Sequence, residues 1–443
     1  MLYTPSLVGG LVFTLVVLAI VLRRVDEVAA ALAGAVVMVA LIPGYTAGRA
    51  FRAVDWDVMA ILLGMWIITA YMVRGGLADA VVSRLLRVTR SYRMLIVLLA
   101  LTAGFLSILV DNVLVILLFG ALALDLAEKA KADPVLAVLL VGFSANFMGT
   151  AMLMGDLPPQ LLHAVAGYEF TDFIWWRGAP GSFPLLTIVF LIVTVAYAFL
   201  TMRGEPAATI DPEPLKDNGA SGENNNRLLL LVSTLYFTLT IIGMALRPRL
   251  GVPLGYITLT GASLLALTVE ILRATSRSSL PAFPDILGDV EWRALLFYAS
   301  LFALVGGLQA SGALEGVAER IAEWITRGPM VAYSVTYWLT AALSTVIEHD
   351  ALLLTLLYAA RDAAHAAGVN PDPLYWGMAW AATLASNTTT AAAPALYVAV
   401  VILEKKGYKI TGRTFLKYSV PYSLLSLTIM YLLTATVWLP IVG

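Results

Sequence analysis

The sequence predicts an all-α polytopic membrane protein, with two inverted-topology repeats that contain re-entrant helical hairpins and broken transmembrane helices. Three observations lead to this fold class. Of the 443 residues, 60% are hydrophobic and 13% are charged, whereas about 25% are charged in an ordinary soluble domain. Apolar segments of about 20 residues, enough to cross a bilayer, recur along the chain. Polar landmarks in the first half also recur in the second.

Composition excludes several classes of protein before any motif is considered. Lys and Arg together number 28 and Asp and Glu number 29, so no basic field attracts a nucleic acid. The chain has no cysteine and three histidines. Disulfides and thiolate sites are therefore impossible, and a His-based zinc site is not expected. We expect no cofactor, no enzymatic activity and no nucleic-acid partner, and the surrounding medium is the lipid bilayer.

Continuous apolar segments between charged or Pro/Gly-rich positions predict eight full spans. Their positions are 6–22, 27–44, 57–73, 182–201, 228–246, 254–272, 292–310 and 415–438.

Four longer apolar stretches have polar centres. Backbone that leaves the helix inside the bilayer persists only where it is buried in protein or lines a wet cavity, and paired interruptions of this kind indicate a transporter binding site. We therefore predict two re-entrant hairpins and two broken helices. The hairpins occupy 93–128 and 330–367, and the broken helices occupy 134–166 and 373–403.

Landmark residues recur at a nearly constant offset of 236 to 241 positions, which indicates an internal repeat of half the chain. The predicted division is a first repeat at 1–202, a charged linker at 203–227 and a second repeat at 228–443. The recurring pairs are Trp56 with Trp292, Ser107 with Ser344, and Asn146 with Asn387.

The distribution of basic residues predicts the orientation. If both hairpins are re-entrant, about twenty Lys and Arg residues lie on one face and about eight on the other, and the richer face is cytoplasmic. The linker is then cytoplasmic, and both termini are extracellular in a multi-pass protein of the plasma membrane. The first hairpin enters from the cytoplasm and the second from outside, so the two repeats are inverted.

Ionisable and polar residues within membrane segments are candidates for function. A carboxylate without a counter-charge in a low-dielectric site binds a proton more readily, so the acids are candidate proton carriers, while amides and hydroxyls offer neutral oxygen ligands. A sodium site is predicted at Asn112, Asn146 and Asn387. The candidates in the first repeat are Ser107, Asp111, Asn112, Asn146, Gly149, Thr150, Gly155 and Asp156; those in the second are Ser344, Thr345, Glu348, His349, Asp350, Ser386, Asn387, Thr388 and Thr389.

Structural roles are open for some of these residues. Asp111 and Asp156 could act only as helix N-caps, Glu348 and Asp350 could lie at a wet rim, and the threonines from 388 could serve close packing. His163 and His365 fall near span ends, where we expect interfacial roles. No Lys or Arg lies in any of the four interruptions, which favours a cation, a proton or a neutral species over an unaccompanied polyanion.

The stretch NFMGTAMLMGDLPP (146–159) resembles the signature of the ion transporter superfamily, with Asn ten residues before the Asp of Gly-Asp-Pro-Pro. Within it, the arsenical pump membrane protein / sodium–proton antiporter (ArsB/NhaD) family is the nearest match. Ser107, Asp111 and Asn112 resemble its Ser-x-x-x-Asp-Asn hairpin. The segments EKKGYKI (404–410) and FALVGGLQASGAL (302–314) also resemble that family.

The resemblance covers essentially the whole chain and implies a scaffold domain, a mobile transport domain and a homodimer. The second repeat departs from the family pattern. Where the family has a second Ser-x-x-x-Asp-Asn, this chain has Ser344 followed by Glu348, His349 and Asp350. Around Asn387 and Thr389, two glycines and a terminal Asn of the family motif are missing. A relative's substrate is therefore not transferable from the motifs alone.

The leading hypothesis is a proton-coupled secondary active transporter of a small inorganic ion, with arsenite or antimonite efflux as the first guess from the resemblance. Its partners would be that ion with protons or sodium. The alternatives are a sodium/proton antiporter, a sodium-coupled oxyanion or carboxylate transporter, an intramembrane aspartyl protease with Asp111 and Asp156 as the dyad, and a passive channel. Because no nucleotide motif is present, energy comes from an ion gradient or from a separate soluble ATPase partner.

Overall fold

A computed structural model describes residues 4–22, 25–206, 208–209, 226–276 and 280–442. Most of the described chain is helical. Within the described residues, two strands of two residues each, β1 (Trp175–Trp176) and β2 (Ala179–Pro180), pair as a short antiparallel hairpin.

The helices of the first half alternate between long spans and short connecting helices. They are α1 (Pro5–Val21), α2 (Glu27–Leu41), α3 (Ala47–Ala53), α4 (Trp56–Arg74), α5 (Leu77–Val88), α6 (Tyr92–Ser107), α7 (Asn112–Ala130), α8 (Pro134–Met148), α9 (Leu157–Ala166) and α10 (Ser182–Thr201). Short 3-10 turns lie at Phe170–Phe173 and Met202–Gly204.

The second half follows the same sequence of long and short helices. They are α11 (Arg227–Ala245), α12 (Arg247–Leu250), α13 (Leu254–Ser276), α14 (Phe283–Gly288), α15 (Trp292–Ala310), α16 (Glu315–Thr326), α17 (Pro329–Leu343), α18 (His349–Ala367), α19 (Asp372–Ser386), α20 (Pro394–Lys405), α21 (Gly412–Leu433) and α22 (Leu439–Val442). A π-helical turn at Thr434–Trp438 joins α21 to α22.

The predicted continuous spans are confirmed to within a few residues. Six helical segments are long and apolar enough to cross a membrane, and α1, α2, α6 and α8 are shorter apolar helices. The second span ends earlier than predicted because Gly44, just after Pro43, has a positive φ of 75° that a helix cannot contain. The last predicted span is divided by the π-helical turn.

Part of the predicted linker and orientation lies outside the described residues. Residues 207 and 210–225 of the linker, and the basic residues Arg23, Arg24, Lys216 and Arg277, are not among them. The boundaries of the repeats, the cytoplasmic side of the linker and the extracellular position of the termini stay predictions.

Each of the four interrupted stretches is two helices separated by a non-helical break. Side chains start the second helix in three of them: Asp111 caps α7, Asp156 caps α9 and Glu348 caps α18 by accepting backbone N–H groups. Prolines at the first turns of α9 and α20 fit a helix start, because the first turn needs no proline N–H.

The helices form two units. The first, which we call the frame, consists of α1–α4 and α11–α15, in which α4 packs on α13 and α2 packs on α15. The second, the hairpin unit, consists of α6–α10 and α17–α21. Within it α7 packs on α8 and α20, and α18 packs on α19 and α9. Helices α5 and α16 connect the units in the chain.

Contacts at the helix ends define two opposite faces of the molecule. We call the face where α10 ends and α11 begins, at the two ends of the linker, the linker face, and the opposite one the distal face. On the linker face, Arg74 at the end of α4 forms an ion pair with Asp289, just before α15. On the distal face, Asp57 at the start of α4 accepts a hydrogen bond of 2.8 Å from the Gly255 N–H at the start of α13. Helix α4 therefore begins on the distal face and its counterpart α15 begins on the linker face, which is the inverted arrangement predicted from the sequence.

The two faces differ in how the units meet. Toward the distal face, α9 packs on α4 and α18 packs on α15. Under the repeat symmetry, the equivalent pairs are α20 with α15 and α7 with α4. Among the described residues these pairs do not pack to a comparable extent. The units are thus closed together on the distal side and apart on the linker side.

Candidate functional site

A cavity of about 150 Å³ lies where the four helix breaks meet the ends of α2 and α15. Its lining combines carboxylates, amides and one imidazole with apolar groups from α15. Seven predicted site residues line it: Asp111, Asn112, Asn146, Asp156, Glu348, His349 and Asp350.

The first repeat contributes a carboxylate held by an amide. The Asn112 Nδ2 donates to Asp156 Oδ2 at 2.9 Å and lies 3.5 Å from Asn146 Oδ1. The other Asp156 oxygen accepts the N–H of Leu157 at 2.8 Å. Asp111 Oδ1 accepts the N–H groups of the first turn of α7. Both acids are therefore helix caps and cavity-lining groups, so the capping role that the sequence left open is present in both.

The second repeat contributes an imidazole between two acids. The two Glu348 oxygens accept the N–H groups of Asp350 and Ala351 at 3.0 and 2.9 Å. His349 Nδ1 lies 2.9 Å from the Ala392 carbonyl oxygen and 3.2 Å from Glu348 Oε1. Its Nε2 lies 3.5 Å from Asp350 Oδ1, and neither of these two buried atoms has a hydrogen-bond partner within the described chain. The three residues are buried, so they do not form a wet rim.

The two repeats are joined directly at the asparagines. The Asn146 Nδ2 lies 3.2 Å from Asn387 Oδ1 and 3.0 Å from Ser386 Oγ. Since Asn112 bonds to both Asp156 and Asn146, a continuous polar path runs from the first break to the second. The predicted convergence of the repeats is therefore present in the fold.

Several other predicted residues support the site without lining the cavity. Thr150 shares a 2.5 Å hydrogen bond with Thr383. A Cβ at Gly155 would lie 2.9 Å from the Ser107 carbonyl oxygen and closer still to that of Gly149, so only glycine fits there. This close approach explains the glycine in the motif.

The hydroxyl candidates are dispersed. The hydroxyls of Ser107 and Ser344 are buried without a partner among the described residues. Thr345 is partly buried, and its carbonyl accepts the Thr389 hydroxyl at 2.6 Å. The Thr388 carbonyl accepts the Ser419 hydroxyl at 2.7 Å, which fits the packing role rather than a position in the cavity.

The three asparagines of the predicted sodium site are hydrogen-bonded to one another in a row. Asn146 Oδ1 faces an amide N–H of Asn112, and Asn387 Oδ1 accepts one from Asn146, so the three amides run head to tail. A second set of donors is more compact: one ligand atom from each of Glu348, His349 and Asp350 lies within 4.8 Å of the others.

Sequence reasoning missed the frame's contribution to the site. Glu27, Glu291, Arg293 and Tyr298 line the cavity from α2 and α15 or the residues that precede α15. No Lys or Arg lies in the four breaks, but Arg293 of the frame adds a positive charge at the mouth of the cavity. Arg293 forms an ion pair with Asp26 and lowers the pKa of that carboxyl. No motif indicated this group as part of the site, and it reaches the cavity on α15, which packs on α18 of the hairpin unit.

The mouth residues also show where the cavity opens. Glu27 follows the cap of α2 and Glu291 precedes α15, and both helices begin on the linker face. The acids, amides and imidazole of the breaks thus lie behind an opening on that face. This agrees with the closed packing of α9 and α18 on the distal side.

A binding cavity formed by paired breaks within an inverted repeat is an arrangement found in transporters. The family described as CitMHS, citrate transporter, matches residues 17–381. The chain belongs to this family. As a member, it is a membrane transporter of the ion transporter superfamily. The matching family is not the ArsB/NhaD branch that the motifs suggested, so that finer assignment is not shown.

Relatives match along nearly the full chain. An uncharacterized transporter of Mycobacterium tuberculosis is 27% identical over 417 residues, which is 92% of each protein. The 46 kDa membrane protein of Mycobacterium leprae is 26% identical over 440 residues, covering 96% of this chain and 97% of that one. The P protein of Homo sapiens is 24% identical over 502 residues, covering 96% of this chain and 59% of the P protein.

Two solved structures share the fold. The YdaH transporter of Alcanivorax borkumensis has a TM-score of 0.55 at 14% sequence identity and covers 98% of each chain. MtrF of Neisseria gonorrhoeae, described with a class of antimetabolite efflux pumps, has a TM-score of 0.59 at 12% identity, covering 98% of this chain and 95% of that chain. At these identities the likeness concerns the fold alone.

Proposed function

We propose that the protein is a proton-coupled secondary active transporter that moves its cargo through the cavity by alternating access. The observation that carries this proposal is the meeting of acids from both repeats in one cavity that opens to the linker face. The frame would stay in place while the hairpin unit moves. Closing α7 and α20 on the frame while releasing α9 and α18 would open the other face, because the repeats are inverted.

The proton would be carried by the cavity acids together with His349. The Nε2 of His349 and Oδ1 of Asp350 face each other at 3.5 Å without other partners among the described residues, so one proton between them would satisfy both. Asp156 is held by Asn112 at 2.9 Å and would release its proton when a cation binds beside it.

The cargo would enter as a cation or with a cation. Four acids of the breaks and two glutamates at the mouth line the cavity, against His349 and Arg293, and Arg293 is paired with Asp26. A bare polycarboxylate is repelled by such a lining, whereas a carboxylate accompanied by a metal ion is not. We therefore propose a citrate-type carboxylate taken together with a cation as the first candidate, because the family is that of citrate transporters.

Sodium/proton antiport is the second candidate, since the acids and amides suit a cation alone as well as a carboxylate bound together with a cation. Arsenite or antimonite efflux rests on the motif resemblance. Without cysteine, such a species would be bound as its neutral hydroxide through oxygen contacts. The plasma membrane location, the extracellular termini and a homodimer remain part of the proposal.

A flux assay separates these candidates. Purified protein is reconstituted into vesicles with an imposed pH gradient, and citrate without metal, citrate with Mg²⁺, sodium, lithium or arsenite is added in turn. Dissipation with citrate only in the presence of Mg²⁺ supports the first candidate, and dissipation with sodium alone supports antiport. Flux that ignores the pH gradient would reject proton coupling and indicate a passive channel.

A further inference from the structure

His163 lies on the hairpin unit at the distal face, outside the cavity, where it bonds to the frame. It is on α9, and its Nε2 lies 3.2 Å from Oδ2 of Asp57 at the start of α4. Its Nδ1 lies 2.7 Å from the carbonyl oxygen of Tyr168. The His163 side chain is 10% exposed and that of Asp57 25%, so water competes only weakly for this contact.

Both ring nitrogens of His163 therefore face oxygens that only accept. A neutral imidazole carries one N–H and can satisfy one of them, whereas the protonated ring donates to both. Asp57 is itself fixed, because its other oxygen accepts the Gly255 N–H at 2.8 Å. Only the protonated ring can therefore donate to both oxygens while α9 is docked on α4.

We propose that His163 and Asp57 form a proton-dependent latch that holds the distal face closed when His163 is protonated. The proposal rests on the movement of the hairpin unit in the proposed function, but it concerns a proton site separate from the cavity. Rising pH removes the second N–H, and one of the two bonds is lost.

Other charged groups around the latch are already paired. On α19, Asp372 accepts the Tyr168 hydroxyl at 2.8 Å and pairs with Arg177 at 2.9 Å. On α18, Arg361 bonds to Asp362 at 3.3 Å. The frame's Arg247 forms an ion pair with Glu169, which lies in the loop after α9.

The Glu169–Arg247 pair does not involve histidine and also links the hairpin unit to the frame. It therefore holds the distal face at any ordinary pH, and loss of the latch loosens the closed state without removing it.

The test uses the absence of native cysteine. Ala47→Cys on the frame and Thr171→Cys on the hairpin unit, both exposed at the distal face, are spin-labelled in the full chain in lipid vesicles. The distance distribution between the labels is measured by pulsed electron paramagnetic resonance at about pH 5.5 and about pH 8.5. We expect the ratio of the short to the long distance to fall about fivefold at the higher pH, the effect of an ion pair of about 1 kcal/mol.

Two variants isolate the latch. In His163→Gln the side chain cannot change charge. In Asp57→Asn the amide oxygen can still accept from Gly255 while the amide N–H donates to a neutral His163, so the contact is kept at the higher pH and protonation of the ring no longer strengthens it. We expect the distance distribution of His163→Gln to be independent of pH, and that of Asp57→Asn not to shift toward the long distance at the higher pH.

Unchanged distances in the parent, or an equal pH response in the parent and both variants, would overturn the latch. The measurement needs no cargo. The latch can therefore be tested even if the flux assay detects no transport. If the protein transports but the distance between the labels does not change with pH, the latch is rejected and the proposed function is not.

Discussion

The two hairpin tips occupy equivalent places in the fold but carry different chemistry. In the first repeat, Asn112 at the start of α7 donates to Asp156 in the adjoining break at 2.9 Å. In the second, His349 at the start of α18 faces the Ala392 carbonyl in the adjoining break at 2.9 Å. The bond between tip and break is kept, and Asp111 and Glu348 are equivalent caps. The acid of the first break, Asp156, has no counterpart in the second break, whereas the second tip carries an additional acid, Asp350. The same scaffold therefore holds a carboxylate bonded to an amide in one half and an imidazole–carboxylate pair in the other.

Replacing the acid of the first repeat should have the largest effect. Asp156→Asn keeps the size and can still accept the Leu157 N–H, but it cannot release a proton or offset a cation. We expect gradient-driven flux in vesicles to fall to that of protein-free vesicles, while the protein stays folded and inserted. Asp362→Asn, which alters an exposed acid paired with Arg361, is the matched control. Full transport by Asp156→Asn would remove this residue from the mechanism.

Making the second repeat resemble the first tests the other half of the comparison. His349→Asn keeps the helix start, which Glu348 caps, and keeps a donor for the Ala392 carbonyl. We expect flux to fall about tenfold and its pH profile to change, because the amide cannot take up a proton. The rate is measured as a function of pH, with the exposed His365→Asn as control. An unaltered pH profile in His349→Asn would show that the proton is carried elsewhere.

The bridge between the halves can be broken at Asn146. Asn146→Ala removes the donor to Ser386 and Asn387 and leaves buried partners unpaired, at a cost of about 1–3 kcal/mol. We expect a lower thermal unfolding midpoint and weaker cargo binding, measured on the purified protein. Ser423→Ala, which removes a buried hydroxyl without a partner in the described chain, is the control and should change little. Equal stability of the Asn146 variant and the parent would show that the contact between Asn146 and Asn387 does not stabilise the fold.

Replacing either of the two helix N-caps, Asp111 or Glu348, should have the smallest effect on the protein. Asp111 and Glu348 each accept two backbone N–H groups at the start of the second hairpin helix. Asp111→Ala and Glu348→Ala should each lower the free energy of unfolding by about 1 kcal/mol, measured as the shift in unfolding midpoint. Much greater destabilisation by Glu348→Ala alone would mean that its contact with His349 outweighs the cap.

Much of the fold was predictable because bilayer thickness sets helix length and buried backbone must be hydrogen-bonded. The spans, the breaks and the meeting of Asn146 with Asn387 follow from apolar runs, polar centres and the repeat. The amphipathic helix α16 was not predicted as an element, because a short helix lying outside the spans leaves little hydropathy signal. His163 was expected to have only an interfacial role, since its partner Asp57 is distant in sequence.

The frame's share of the site could not be read from the sequence. Glu27 reaches the cavity because α2 packs on α15, and Arg293 because α15 packs on α18, and no local pattern encodes these contacts. The sequence also does not indicate which face the cavity opens to, because an inverted repeat can close on either face. The asymmetry lies in which of two equivalent sets of helices packs on the frame.

A single engineered thiol tests whether the cavity lined by the breaks of both repeats opens to one face at a time. Ala395→Cys, next to the second break and buried in the cavity wall, gives a single thiol in a chain without cysteine. Its reaction with a membrane-impermeant thiol reagent is measured from each side of oriented vesicles, with and without the cargo that dissipates the pH gradient. The account predicts reaction from the linker face, slowed by cargo. Reaction from both faces of the same conformer, or a rate that cargo leaves unchanged, would contradict it.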